Sequence, residues 1–183
     1  RGALPAVVRR SVAAQARHAQ VALALGQLQA VDNEPELKWR LARREAYDSL
    51  SALVLATQRS LSEPRAVRPP LEPLGRLMAH SYQLLALLTI VKSILLRRRG
   101  RLTPEQIDAP LAHSASLIAT TLAQTVPLPQ ATPVVQYPPE LSDPFEGNLS
   151  PWLLHRLDRA AGIALQLRLD ADRVLAELAP PAR

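Results

Sequence analysis

Apolar residues recur along most of the chain at three- and four-residue steps, the period that gathers them on one face of a helix. Five segments carry this pattern. The first spans 5–30 and is lined by Leu4, Val8, Val12, Ala16, Ala19, Leu23 and Leu28, ending before Asp32-Asn33. Gly26 interrupts it at a cost of about 1 kcal/mol relative to alanine. The second spans 36–62, opened by Pro35 and stopped by Pro64. One face of it carries Trp39, Ala46, Leu50, Leu53, Thr57 and Leu61, and the opposite face Leu37, Leu41 and Leu55 with Arg44, Asp48 and Ser51. Two apolar faces call for partners on two sides.

A linker with Pro69, Pro70 and Pro73 leads to the third segment, 74–99, in which Leu77, Met78, Tyr82, Leu84, Leu85, Leu88, Ile90, Val91 and Leu95 cover nearly the whole circumference. Such a helix belongs at the centre of a bundle. Arg97 to Arg99 suit the negative end of its dipole, and Gly100 suits a left-handed cap. Thr103, Pro104 and Gln106 read as N-cap, first-turn proline and capping-box residue of a fourth helix, 104–126. Ile107, Leu111, Ser114, Leu117 or Ile118, and Leu122 point inward there, and Pro110 predicts a kink or a second start. Segment 127–150 is proline-rich and reads as an ordered crossover loop before the last helix, 151–178. That helix is lined by Trp152, Leu153, Leu157, Ala160 or Ala161, Ala164, Leu167 and Val174. The expected fold class is all-α, an antiparallel bundle of about five long helices forming a single domain over 1–183, with short connections placing the first four as neighbours.

Composition agrees with this picture. Of 183 residues 48% are hydrophobic but only 3% aromatic, and leucine and alanine, which lose little on entering a helix, dominate. Lysine plus arginine number 22 against 16 acidic residues, a net charge of +6, and only Lys38 and Lys92 are lysines. The Arg97–Arg101 cluster has no interleaved aromatic residue for base stacking, so helix capping accounts for it and no nucleic acid is expected as partner. The chain opens on Arg1-Gly2 without methionine and has no signal-peptide pattern. It reads as a fragment of something longer.

Candidate chemistry is sparse. The absence of cysteine removes thiolate nucleophiles and cysteine-held metal sites. No G-x-S-x-G elbow, phosphate-binding glycine loop or Glu-x-x-His pair occurs. His18, His80, His113 and His155 fall singly on four helices. The chain is therefore not expected to be an enzyme, and no catalytic, cofactor-binding or metal-binding residue is assigned. What stands out is the polar cluster on the second helix, Arg43, Arg44, Glu45 and Asp48, as structural or interface candidates. Arg44 and Asp48 are spaced for an i,i+4 ion pair, expected to be partly buried and to fix helix register, so that Asp48→Ala lowers the melting temperature.

The run Leu41-Ala42-Arg43-Arg44-Glu45-Ala46, followed by Asp48, Leu50-Ser51, Arg59 and Glu63-Pro64, resembles the cytosolic segment of the fusaric-acid-resistance (FUSC) family, in its YccS/YhfK-like inner-membrane branch. His80-Ser81-Tyr82 and the leucine run after it also fit, and the likeness covers about 1–100. The resemblance implies the cytoplasmic domain of a bacterial inner-membrane efflux transporter for aromatic acids or similar small organic compounds, with an assembly or regulatory role. Its partners would be the transmembrane part of the same polypeptide and, in a homo-oligomer, further copies. Arg1, Arg9 and Arg10 would be the juxtamembrane positive charges on the cytoplasmic side. The alternative is a free-standing cytosolic helical-bundle adaptor or small-ligand sensor.

Overall fold

Residues 2–24, 34–102, 104–123 and 150–180 are described by the computed structural model, and five helices account for most of them. These are α1 (Leu4–Ala22), α2 (Glu34–Ser60), α3 (Leu71–Arg97), α4 (Pro104–Leu122) and α5 (Ser150–Leu178). No strand occurs among the described residues, and the fold is an all-α helical bundle.

Several ends differ from the sequence reading, each for a local reason. α1 stops at Ala22, because Leu23 leaves helical geometry (φ −98°, ψ 6°) and tucks its side chain into the core. The rest of the predicted extension, 25–30, lies outside the described residues, as do Thr103 and the loop 127–149. α3 starts at Leu71 and takes Pro73 into its first turn, where a missing N–H breaks no helical hydrogen bond. At its other end Gly100 is not left-handed. The chain instead tightens: the Arg98 N–H donates to Ile94 O at 3.1 Å and the Arg101 N–H to Arg98 O at 2.8 Å, giving a 3₁₀ turn over Arg99–Arg101. Pro110 stays inside a continuous α4.

α3 and α5 form the principal seam. Leu74, Leu77, Ser81, Leu84, Leu88, Val91 and Leu95 on α3 are all buried and alternate three- and four-residue steps. Leu153, Leu157, Ala160, Ala164, Leu167, Ala171, Val174 and Leu178 do the same on α5. This is the spacing by which two helices interdigitate at a shallow angle. His80 Nδ1 lies 2.6 Å from Asp170 Oδ2, and Arg76 Nε 3.6 Å from Asp170 Oδ1, which fixes the register of the seam. Asp170 in the last third of α5 thus meets Arg76 and His80 in the first half of α3, the placement in which two antiparallel helices overlap along most of their length.

α5 also packs on α4, and α3 and α4, although joined by a short connection, are separated by it. Arg168, buried on α5, donates to Thr121 O and Ala123 O at 3.0 Å each, satisfying carbonyls at the end of α4, and to Asp172 Oδ2 at 2.8 Å. The most apolar helix is not the hub. α1 is the helix that touches the four others, and its alanines Ala14, Ala19 and Ala22 allow approach from several sides. α3 is long and apolar enough by length and composition alone to cross a membrane, but its apolar seam is filled by α5 and it leaves Tyr82 and Ile90 outward.

Replacing Arg168 by methionine keeps the apolar stem and removes the charged donor that holds Thr121 O, Ala123 O and Asp172 Oδ2. Urea denaturation should show a loss of about 1.5–3 kcal/mol; a change below about 0.5 kcal/mol would mean that the end of α4 does not depend on this residue.

Candidate functional site

Ser11, Gln15 and His18 follow one another on α1 at steps of four and three residues, on the line that also carries Leu4, Val8 and Ala22. That line is the centre of the buried face, so three polar side chains lie where the period calls for apolar ones. All three are sealed from solvent. Ser11 Oγ, both amide atoms of Gln15 and both ring nitrogens of His18 have no hydrogen-bond partner, and Trp39 Nε1 on α2 shares that condition. An unmet buried donor or acceptor costs about 1–3 kcal/mol.

Trp39 links this line to a buried charge. Its ring sits 6.5 Å from the His18 ring, tilted by 40°, and Lys92 Nζ of α3 lies 3.5 Å from its centroid. Lys92 reaches Glu36 Oε2 at 2.9 Å, and its side chain is only 4% exposed. An ammonium this deep needs both partners, the carboxylate and the π face. The hydrogen bond from Lys92 holds the Glu36 carboxyl below its usual range, against the opposing effect of burial, with further help from the Lys92 and Arg40 charges. Beside Lys92 a void of about 10 Å³, lined by Ala22, Leu23, Leu95 and Leu111 among others, has room for about one water. On the outer side of Glu36 a cleft of about 460 Å³ is lined by Glu34, Glu36, Leu37 and Arg40.

His18 is held neutral. Burial, and then the Arg43 and Lys92 charges, lower its pKa from 6.5 to about 4. Its sealed position keeps a substrate from reaching it in this conformation, so the cluster offers hydrogen-bonding capacity and a π face rather than a reaction.

The polar residues singled out on the second helix divide between two faces. Glu45 turns to α1 and accepts from Arg10 Nε at 3.0 Å. Arg43 lies over the rings of Trp39 (5.7 Å) and Tyr47 (5.1 Å). Ala42 and Ala46 between them are buried, letting α2 come close to α1. Arg44 and Asp48 point the other way, 3.8 Å apart with side chains 80% and 59% exposed. The expectation of a partly buried pair is therefore corrected: water screens both groups, and such pairs contribute between about 0 and 1 kcal/mol. Likewise only one apolar face of α2 is covered. Leu37, Leu41 and Leu55 are 57%, 58% and 52% exposed.

Of the other histidines, His80 meets Asp170, His113 is exposed and His155 is half-buried. Among the described residues no group of three or more His, Asp or Glu side chains could hold a metal ion. In the sequence His18 stands out only as a lone histidine, and Ser11 and Gln15 not at all; their shared line with Leu4, Val8 and Ala22 is the available signal. Comparison with protein-family models, with curated proteins and with solved structures finds no match for this chain.

Two outcomes are expected. A His18 that is neutral when folded (pKa about 4) and ordinary when unfolded (6.5) leaves the unfolded chain binding more protons between those values. Stability is then full above pH 6.5 and falls as pH drops toward 4, by on the order of 3 kcal/mol in total. Urea melts at pH 7.5 and 5 should show this slope in the wild type and a much smaller one in His18→Gln, while Glu36 contributes only in the carboxylate range further down. Equal slopes in both chains would exonerate His18. Asp48→Ala, by contrast, should change the stability of the isolated monomer by less than about 0.5 kcal/mol, read from dilute thermal melts.

Proposed function

We propose that this chain is the cytoplasmic domain of a FUSC-type bacterial inner-membrane transport protein, acting in the assembly or regulation of a pore that the transmembrane part of the same polypeptide supplies. The observation that carries the reading is the placement of the residues of the resemblance. Ala42 and Ala46 bring α2 against α1, Arg43 covers Trp39 and Tyr47, and Glu45 holds Arg10, so four residues of the run Leu41–Ala46 serve to dock one helix on the other. In this reading α1 leads away from the membrane, with Arg9 and Arg10 near its start as cytoplasmic-side positive charges. The cargo is aromatic acids or similar small organic compounds, handled by the transmembrane part.

The second reading, a free-standing small-ligand sensor or adaptor, draws on the six unpartnered buried polar atoms of Ser11, Gln15, His18 and Trp39. A ligand bringing its own donors and acceptors would have to enter between α1 and α2.

The test uses the full-length product of the gene. It should fractionate with the inner membrane, and its deletion should sensitise cells to aromatic carboxylic acids. Ala46→Glu in the full-length protein, which puts a charge into the α1–α2 contact, should leave it in the membrane yet fail to restore resistance. A product found only in the soluble fraction, or a deletion without effect on sensitivity, would reject the transport reading. Benzoate raising the melting temperature of the wild-type chain but not of Gln15→Leu would favour the sensor.

A further inference from the structure

The outward face of α2 carries Leu37, Leu41, Arg44, Asp48, Ser51 and Leu55, every one exposed. Their spacing is four, three, four, three, four residues, the alternation that forms a coiled-coil seam and that already packs α3 on α5 inside the bundle. The opposite face, with Ala42, Ala46, Ser49, Leu50, Leu53 and Thr57, is buried.

This stripe is complementary to itself when reversed. About a midpoint at position 46, Leu37 maps onto Leu55, Leu41 onto Ser51, and Arg44 onto Asp48. Two copies laid antiparallel would therefore set leucine against leucine at both ends and two Arg–Asp pairs in the middle. A parallel arrangement in register would instead put Arg44 on Arg44 and Asp48 on Asp48, which like-charge repulsion disfavours.

We infer that α2 is the contact surface of a twofold homodimer, with the Leu37–Leu55 stripes of two chains paired antiparallel and the pairs Arg44–Asp48 closing across the axis. The isologous geometry makes each contact occur twice, as a twofold axis requires. Arg44 and Asp48 hold each other loosely within one chain, at 3.8 Å and largely in water. Pairing across chains would remove both from part of that water and exchange the two intrachain contacts, one per chain, for two charge pairs between helices. Docking of α2 on α1 keeps the stripe presented, since Ala42, Ala46 and Leu53 fix which side of the helix faces out. The contact is small, three leucines and one ion pair per chain, so dimerisation is concentration-dependent, and tethering both chains to one membrane would strengthen it through effective concentration.

Sedimentation equilibrium on the 183-residue chain should show a monomer–dimer equilibrium. Arg44→Asp and Asp48→Arg should each weaken it by about tenfold or more. The double swap, Arg44→Asp with Asp48→Arg, should restore it, and an equimolar mixture of the two single variants should form heterodimers. Because the chain has no cysteine, a second test is independent of charge. A mixture of Leu41→Cys and Ser51→Cys chains should give the mixed disulfide on oxidation, in preference to either homodimeric disulfide. A wild type that stays monomeric at millimolar concentration, single charge reversals that leave dimerisation unchanged, or Leu41→Cys chains that cross-link to one another preferentially would overturn the proposal.

Discussion

The seam between α3 and α5 sets the spacing that the other helices inherit. Leucines alternate at three and four residues on α3, and alanines fall at the corresponding steps on α5, so the two axes can approach while the leucines still fill the space between them. Asp170 then locks the register by taking His80 and Arg76 from the facing helix. With α5 held in place, Arg168 reaches the last carbonyls of α4, and the fourth helix is positioned by a charge aimed at its negative end. α1 fills the remaining side, and α2 is added outside it.

This arrangement bears on why the polar line of α1 is tolerated. Ser11, Gln15 and His18 lie on α1, where His18 stands beside Trp39 of α2, outside the α3–α5 seam. A bundle can bear unmet polar groups there if the leucine-rich seam supplies enough stability elsewhere. Lys92 is the counterpart on α3: a single charge within an apolar helix, matched by Glu36 and the face of Trp39, both from α2. Polar groups of α2 thus join its buried Ala42, Ala46, Leu50 and Leu53 in seating the helix.

Much of the fold was legible because period and punctuation agreed. Proline at the start of α4 and α5 and the three-four spacing of Leu153, Leu157, Ala160, Ala164 and Leu167 point to helices whatever the tertiary context. The neighbour relations were less legible. A short connection between α3 and α4 suggested that they pack together, yet α5 comes between them, because a helix added later in the chain can take the better seam. The candidate site was the least legible part. Periodicity assigns a residue to a face by its hydrophobicity, so Gln15 draws no attention and His18 only as a lone histidine, although their positions on the helix are on the line of Leu4 and Val8. Arg44 and Asp48 failed in the reverse direction: i,i+4 spacing announces a pair but says nothing about which side of the helix water occupies.

The two lysines give this architecture a chemical handle. Lys38 stands in solvent on α2, whereas the Lys92 amine is enclosed between Glu36 and the Trp39 ring and is reachable only when α2 leaves its seat. An acylating reagent that consumes exposed side-chain amines therefore finishes with Lys38 first, and the slow appearance of label on Lys92 measures how often the second helix lifts from the bundle. In a chain so rich in arginine, the scarcity of lysine turns one enclosed ammonium into a clock for that opening.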